Sequence, residues 1–161
     1  MDMHTSLWLF LAVQAIGLAI WLSISVVNNC RAFGGSAAAV GATMSMALLK
    51  QPPPIDSPLL SRAIDSHALH RMALVMVLTL QTVAGVACWV GCWQLVVVGD
   101  LGAARPWLNL GLSVFTMFLF AMHLGGLWFG YWIRQEGLQL THIGLLVWTV
   151  VAFLLFNMPL A

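Results

Sequence analysis

Three histidines hold most of the chemistry legible in this 161-residue chain. His67 and His70 stand three apart within SRAIDSHALHRM, residues 61 to 72, and therefore on one face of a helix; His142 enters a later apolar run at a similar level. Bis-histidine haem ligation needs one imidazole from each of two neighbouring helices, so His67, His70 and His142 are candidate haem b ligands. Ser66, His70 and Arg71 offer hydrogen-bond donors at a helix mouth, where a quinone or lipid head would meet them. The plainer alternative is anchoring, because interfacial His and Arg side chains snorkel to headgroups and cap helix ends.

Two polar residues lie deeper. His123 and Gln81 fall about 15 Å and about 18 Å inside their apolar runs at the helical rise. Buried polar groups in hydrocarbon face protein or water, so a His123 to Gln81 hydrogen bond is expected, with a proton relay as the sharper alternative. Together with Gln14 they would line a midplane polar cavity if the chain carried small solutes.

Other chemistry lacks its residues. The sequence has no Gly-rich phosphate loop, HExxH, CxxC or favoured Ser-His-Asp set, and no paired carboxylates within an apolar run. Cys30, Cys88 and Cys92 argue against a disulfide framework, since three leave one unpaired and the last two are four apart in an apolar stretch. The nine methionines show no metal spacing, and no metal site is expected. Independent catalysis is not expected.

The elements that must position these residues follow from composition. Hydrophobic residues make up 61% of the chain and charged residues 7%, with a mean hydropathy of +0.97. Soluble proteins hold roughly 45 to 50% apolar residues, so this is a membrane protein. A formal charge of +1 points to no nucleic acid. Crossing a bilayer core takes roughly 20 apolar residues with every backbone group satisfied internally. Four stretches qualify, at about 7–27, 69–98, 107–133 and 140–158, predicting an all-α four-transmembrane-helix bundle in a single domain, 1–161. The first run lacks a preceding Lys or Arg and a small-residue cleavage site, and reads as a retained span.

Residues 28–61 form an extramembrane segment holding a short surface or re-entrant helix, SAAAVGATMSMALL, broken by three prolines. Ser57 or Ser61 is the expected cap of the second span, and GDLGAARP, residues 99 to 106, the link to the third. Trp107 at one end of span three and Trp128, Tyr131 and Trp132 at the other match two interfacial aromatic belts. With four spans both termini share one side. Five of the six Lys and Arg residues gather on the opposite one, with only Arg105 on the terminal side. Small residues form two close-approach stripes, Gly126 with Gly130 and Ala84 with Cys88 and Cys92.

The stretches VVNN, MSM, SRAIDSHALHRMAL, TLQTVAGVACWVGCWQL and GGLWFGYW, in that order over roughly residues 20 to 135, resemble the small integral membrane proteins called domain of unknown function 2165. The resemblance implies a four-span bacterial inner membrane protein and no particular activity. Where the family pattern has a Gly-Glu-Trp-Phe run, this chain has Gly126, Leu127, Trp128 and Phe129, so a role for that acid is not carried over. SHALHR is also similar to the Ser, His and Arg stretch by which the cytochrome b subunit of succinate dehydrogenase approaches its quinone. Ser66 to Arg71 is one residue longer here, and convergence of polarity at a helix mouth accounts for the likeness. The expected role is an accessory or structural subunit in contact with membrane lipids and a larger membrane complex, respiratory or quinone-linked. The alternatives are a small b-type cytochrome or quinone-binding redox subunit, and a small-solute transporter.

Overall fold

A computed structural model describes residues 2–158. Helix α1, Met3–Arg31, starts where the Asp2 carboxylate accepts from the Thr5 amide at 2.7 Å. A mostly apolar run without charge from Leu7 to Cys30 carries it to Ala32, whose backbone leaves the helical region, and α2, Phe33–Met44, resumes at once. Met46 adopts a left-handed conformation and separates α2 from the single turn α3, Ala47–Lys50. An irregular stretch with a 3-10 turn, Pro58–Arg62, leads to α4, His67–Cys92, which continues as π-helical turns, Trp93–Val98. Gly99 takes φ +76° and Asp100 caps α5, Leu101–Trp128, accepting from the Ala103 amide. A 3-10 turn, Tyr131–Ile133, precedes α6, Glu136–Asn157.

Among the described residues, four helices are long and apolar enough to cross a membrane, as expected. Their bounds differ instructively. Residues 28–61 are mostly helical rather than loop, because α1 runs on to Arg31 and the small residues of α2 sustain a second helix. The long helix α4 is capped by Ser66, accepting from the Leu69 amide, while Ser57 caps the preceding 3-10 turn. The 99–106 link shrinks to two residues: Asp100 satisfies the first amides, and Pro106 sits within α5, opposite Gly102 one turn back. Span three ends at Trp128 rather than 133, where Gly130 takes φ +68° and closes the turn on Leu127.

Helix α1 runs antiparallel to α4. Leu22 meets Gly85, Ser25 meets Gln81, and Ser23 accepts from the Trp89 indole. From Gln81 to its start at His67, α4 extends about 21 Å at 1.5 Å per residue, and α2 packs along this stretch with Gly41 against the His70 ring.

Between the helices, Ala15, Leu18, Leu22, Ala84, Cys88, Leu108, Leu112, Phe115 and Phe156 are fully covered. Lipid tails are as apolar as these side chains, so association relies on close packing more than on exclusion of water. Glycines permit it: a Cβ at Gly111 would stand 2.5 Å from Cys88 Sγ and 3.2 Å from the Ala84 carbonyl oxygen, and one at Gly91 2.7 Å from Leu108. Trp21 and Trp148 close the centre around Phe115, with the Trp21 and Phe115 rings 5.3 Å apart.

Candidate functional site

Above the packed centre, the segment between α1 and α4 folds into a cap whose Met46 and Leu49, flanked by Leu59, Leu60 and Ile64, pack with Phe129 at the end of α5. The Ile64 amide donates to the Met44 carbonyl and closes the segment on itself. Two arginines tie it to the bundle. Arg134 donates to the carbonyls of Leu48 at 2.8 Å and Gln51 at 3.1 Å, and to that of Pro53, meeting acceptors left open where α3 ends. Arg62 lies 4.4 Å over the Trp128 ring and donates to the Trp128 carbonyl. Lys50 and Asp65 pair at 3.6 Å in solvent, an arrangement that contributes little.

The histidines of the SHALHR stretch separate in role. His70 is buried, its Nε2 2.8 Å from the Ile64 carbonyl oxygen and its other edge against Gly41, where a Cβ would overlap the ring. His67 is exposed and meets His70 edge to face. With Arg71 and Asp65, both exposed, it rims an open cleft of about 620 Å³ floored by Gly34, Ala37, Ala38, Gly41 and Ala42.

His142 belongs to a different place. Gly126 has no side chain, which lets the Tyr131 ring fold back onto α5; a Cβ there would stand 2.6 Å from the ring. The Tyr131 hydroxyl is 2.6 Å from His123 Nδ1, and the Tyr131 ring stacks on His142 at 5.9 Å and 23°. Burial pushes the Tyr131 phenol above its usual pKa, so it stays protonated at neutral pH. His142 is 5% exposed and lines a cavity of about 190 Å³ walled by Met76, Val77, Met122, Phe129 and Tyr131. A second cavity of about 310 Å³ adjoins it, sharing Val40, Thr43, Val77, Met122 and Leu138.

Several expectations are corrected by this geometry. His123 pairs with Tyr131 instead of Gln81, because the turn at Gly130 delivers a closer partner. Gln81 instead bonds Asn29 and Ser25 of α1, which passes nearer to it. Gly126 and Gly130 do not form a helix-packing stripe; one receives the Tyr131 ring and the other makes the turn. Ala84 and Cys88 do lie at a helix contact, matched by Gly111. Tyr131 is 1% exposed and takes no part in an outer belt, whereas Trp107, Trp128 and Trp132 remain exposed. His67 and His70 line one cavity and His142 another, with His70 Nε2 already engaged, so the arrangement does not assemble a bis-histidine haem pair. Ser66 accepts from a backbone amide and stays exposed beside His67 and Arg71 on the outer face of the stretch. The transporter alternative places Gln14, Gln81 and His123 in one cavity. Gln14 instead accepts from the Trp148 indole, and each of the three is satisfied locally.

The inward turn of Tyr131, the hold of Arg134 on the cap and the close contacts at Gly111 and Gly41 escaped sequence reasoning. The traceable signals were the small residues recurring every three or four positions from Gly34 to Gly41, and a Tyr placed five residues past Gly126 across a second glycine.

A family model described as a predicted small integral membrane protein (DUF2165) matches residues 7–159, well beyond the stretch that carries the quoted motifs. No curated protein and no solved structure matches the chain.

Proposed function

The chain belongs to the family of predicted small integral membrane proteins, DUF2165, and from that premise we propose that it serves as an accessory subunit of a larger assembly in a bacterial inner membrane, respiratory or quinone-linked, and is not an enzyme by itself. The observation that carries this reading is how the polar groups are used. Gln14, Gln81, His123, Arg62 and Arg134 all bond within the chain and maintain its shape, and the bundle centre is filled with aromatic and aliphatic side chains. Groups spent on such bonds are not free to turn over a substrate. The cleft along α2 faces outward with a floor of Gly and Ala, the surface on which a second helix packs closely, and Arg71 and His67 at its rim supply donors to that partner.

Gentle affinity purification from membranes tests the reading. One membrane protein should co-migrate in fixed ratio and be lost from Ala38→Trp, which fills the cleft from an exposed position. A chain that purifies alone from every mild detergent, or that turns over a substrate unaided, overturns it. An absorption spectrum of the same sample tests the b-type cytochrome alternative, which requires a Soret band.

A further inference from the structure

Among the described residues, one enclosed side-chain nitrogen or oxygen lacks a hydrogen-bond partner, and it is Nδ1 of His142. The other polar side chains near this depth are paired: Gln81 with Asn29 and Ser25, His123 with Tyr131, Thr43 with Gln135. An unpaired nitrogen surrounded by hydrocarbon is costly to maintain, and a bound molecule supplying the missing partner removes the cost.

The surroundings define that molecule. The cavity lined by His142 has about 190 Å³, and a dry apolar cavity of roughly 150 Å³ takes up benzene. One substituted six-membered ring fits. No Lys, Arg, Asp or Glu lines the chamber, so an ionic or zwitterionic lipid head finds no counter-charge there. The methionine walls adapt to a flat ring. Met76 and Leu138, which line the chamber, are 49% and 38% exposed, so its outer wall is apolar. The adjoining 310 Å³ cavity has room for ring substituents or the start of a chain and offers the Asn29–Gln81 and Thr43–Gln135 pairs as further polar contacts.

We infer that the chamber beneath the cap binds an uncharged, ring-headed, lipid-soluble molecule of the quinone class, with His142 Nδ1 donating a hydrogen bond to a ring carbonyl. This deepens the quinone-linked part of the accessory-subunit reading, but the site lies within one chain and requires no partner. Its residues differ from the Ser66, His70 and Arg71 set at the helix mouth.

The test uses the purified full chain in detergent micelles, titrated with decylubiquinone and followed by calorimetry. Saturable binding at one molecule per chain is expected. His142→Leu should weaken it at least tenfold, while Arg71→Gln, in the outer cleft, leaves it within twofold. Gly125→Phe provides a second route. A Cβ at Gly125 meets no atom within 4 Å, so the new ring enters the chamber without displacing backbone, and binding should be lost although His142 is retained. Should His142→Leu fail to fold, Gly125→Phe alone decides. Decanol, which carries the same chain length without the ring, should not compete. Absence of saturable binding, equal binding by decanol, or binding unchanged in both chamber variants overturns the inference. Because the isolated chain is used, these results stand apart from whether a partner subunit is captured.

Discussion

The centre of the bundle and its capped end are held together by different means. Around Phe115 the helices meet chiefly through close fit, with Gly111 against Cys88, Gly91 against Leu108, and two indoles closing the gap. At the capped end, directed polar contacts do the corresponding work: Arg134 on three carbonyls, Arg62 on Trp128, and Tyr131 on His123. The centre is therefore sensitive to added volume and the cap to lost donors. A bilayer explains the division, since polar contacts at midplane depth need partners already in place, whereas the cap reaches the interface, where donors and acceptors can exchange with water.

Four substitutions sharpen or break that contrast, taken from the largest expected effect down. Gly111→Leu puts a branched side chain into Cys88 and the Ala84 backbone, and should destabilise the bundle by about 3 kcal/mol or more, read as loss of the folded monomer in detergent melting. A melting temperature within a degree of the parent would show that the two helices are not held by close approach. Arg134→Met removes charge-assisted bonds to the cap and should cost about 2 kcal/mol. Here the loss is local: protease cleavage within residues 51–64 should accelerate at least tenfold, with the spans unaffected. Uniform acceleration of exchange in α1 and α6 would mean that cap and bundle are one unit. Trp21→Leu keeps an apolar side chain but gives up the ring contacts with Phe115 and Trp148, for about 1 kcal/mol. Lys50→Ala breaks an exposed pair and should shift stability by less than about 0.5 kcal/mol; a larger effect would reveal a role the geometry does not account for.

The capped end also carries a pH signature. Tyr131 has its folded pKa raised above the ordinary value of 10.0 by burial. Above that value the unfolded phenol loses its proton before the folded one does. The contribution of Tyr131 is thus fully present below pH 10 and declines as the pH rises through the folded pKa. A melting series from pH 8 to pH 11 should fall off at the alkaline end, and Tyr131→Phe should flatten that fall. An equal decline in both proteins would place the alkaline sensitivity elsewhere.

The sites differ in how far they could be read from the linear chain. Ala84 and Cys88 were identifiable as a contact because helical spacing puts small residues on one stripe, but their partner Gly111 was not, since spacing along one helix says nothing about the register of the next. Gly126 and Gly130 misled for the converse reason: the same spacing that makes a stripe on a continuous helix means nothing once the helix ends at Trp128. The spacing singled out the histidines as the residues with chemical potential. Which of them share a space depended on α2 lying along α4, a segment whose direction no periodicity reports.

The amino-acid order by itself determined that this protein crosses the membrane on four helices, because runs of some twenty apolar residues have no cheaper environment than lipid and no better way to satisfy their backbone than a helix. Only the tertiary structure decided that the polar segment between the first two spans is a fitted cap, that Tyr131 turns inward, and that His142 faces a chamber instead of its fellow histidines. Those outcomes depend on which surfaces come within a few ångströms of each other. Dispersion, hydrogen bonding and steric exclusion act only at that range, between residues far apart in the chain.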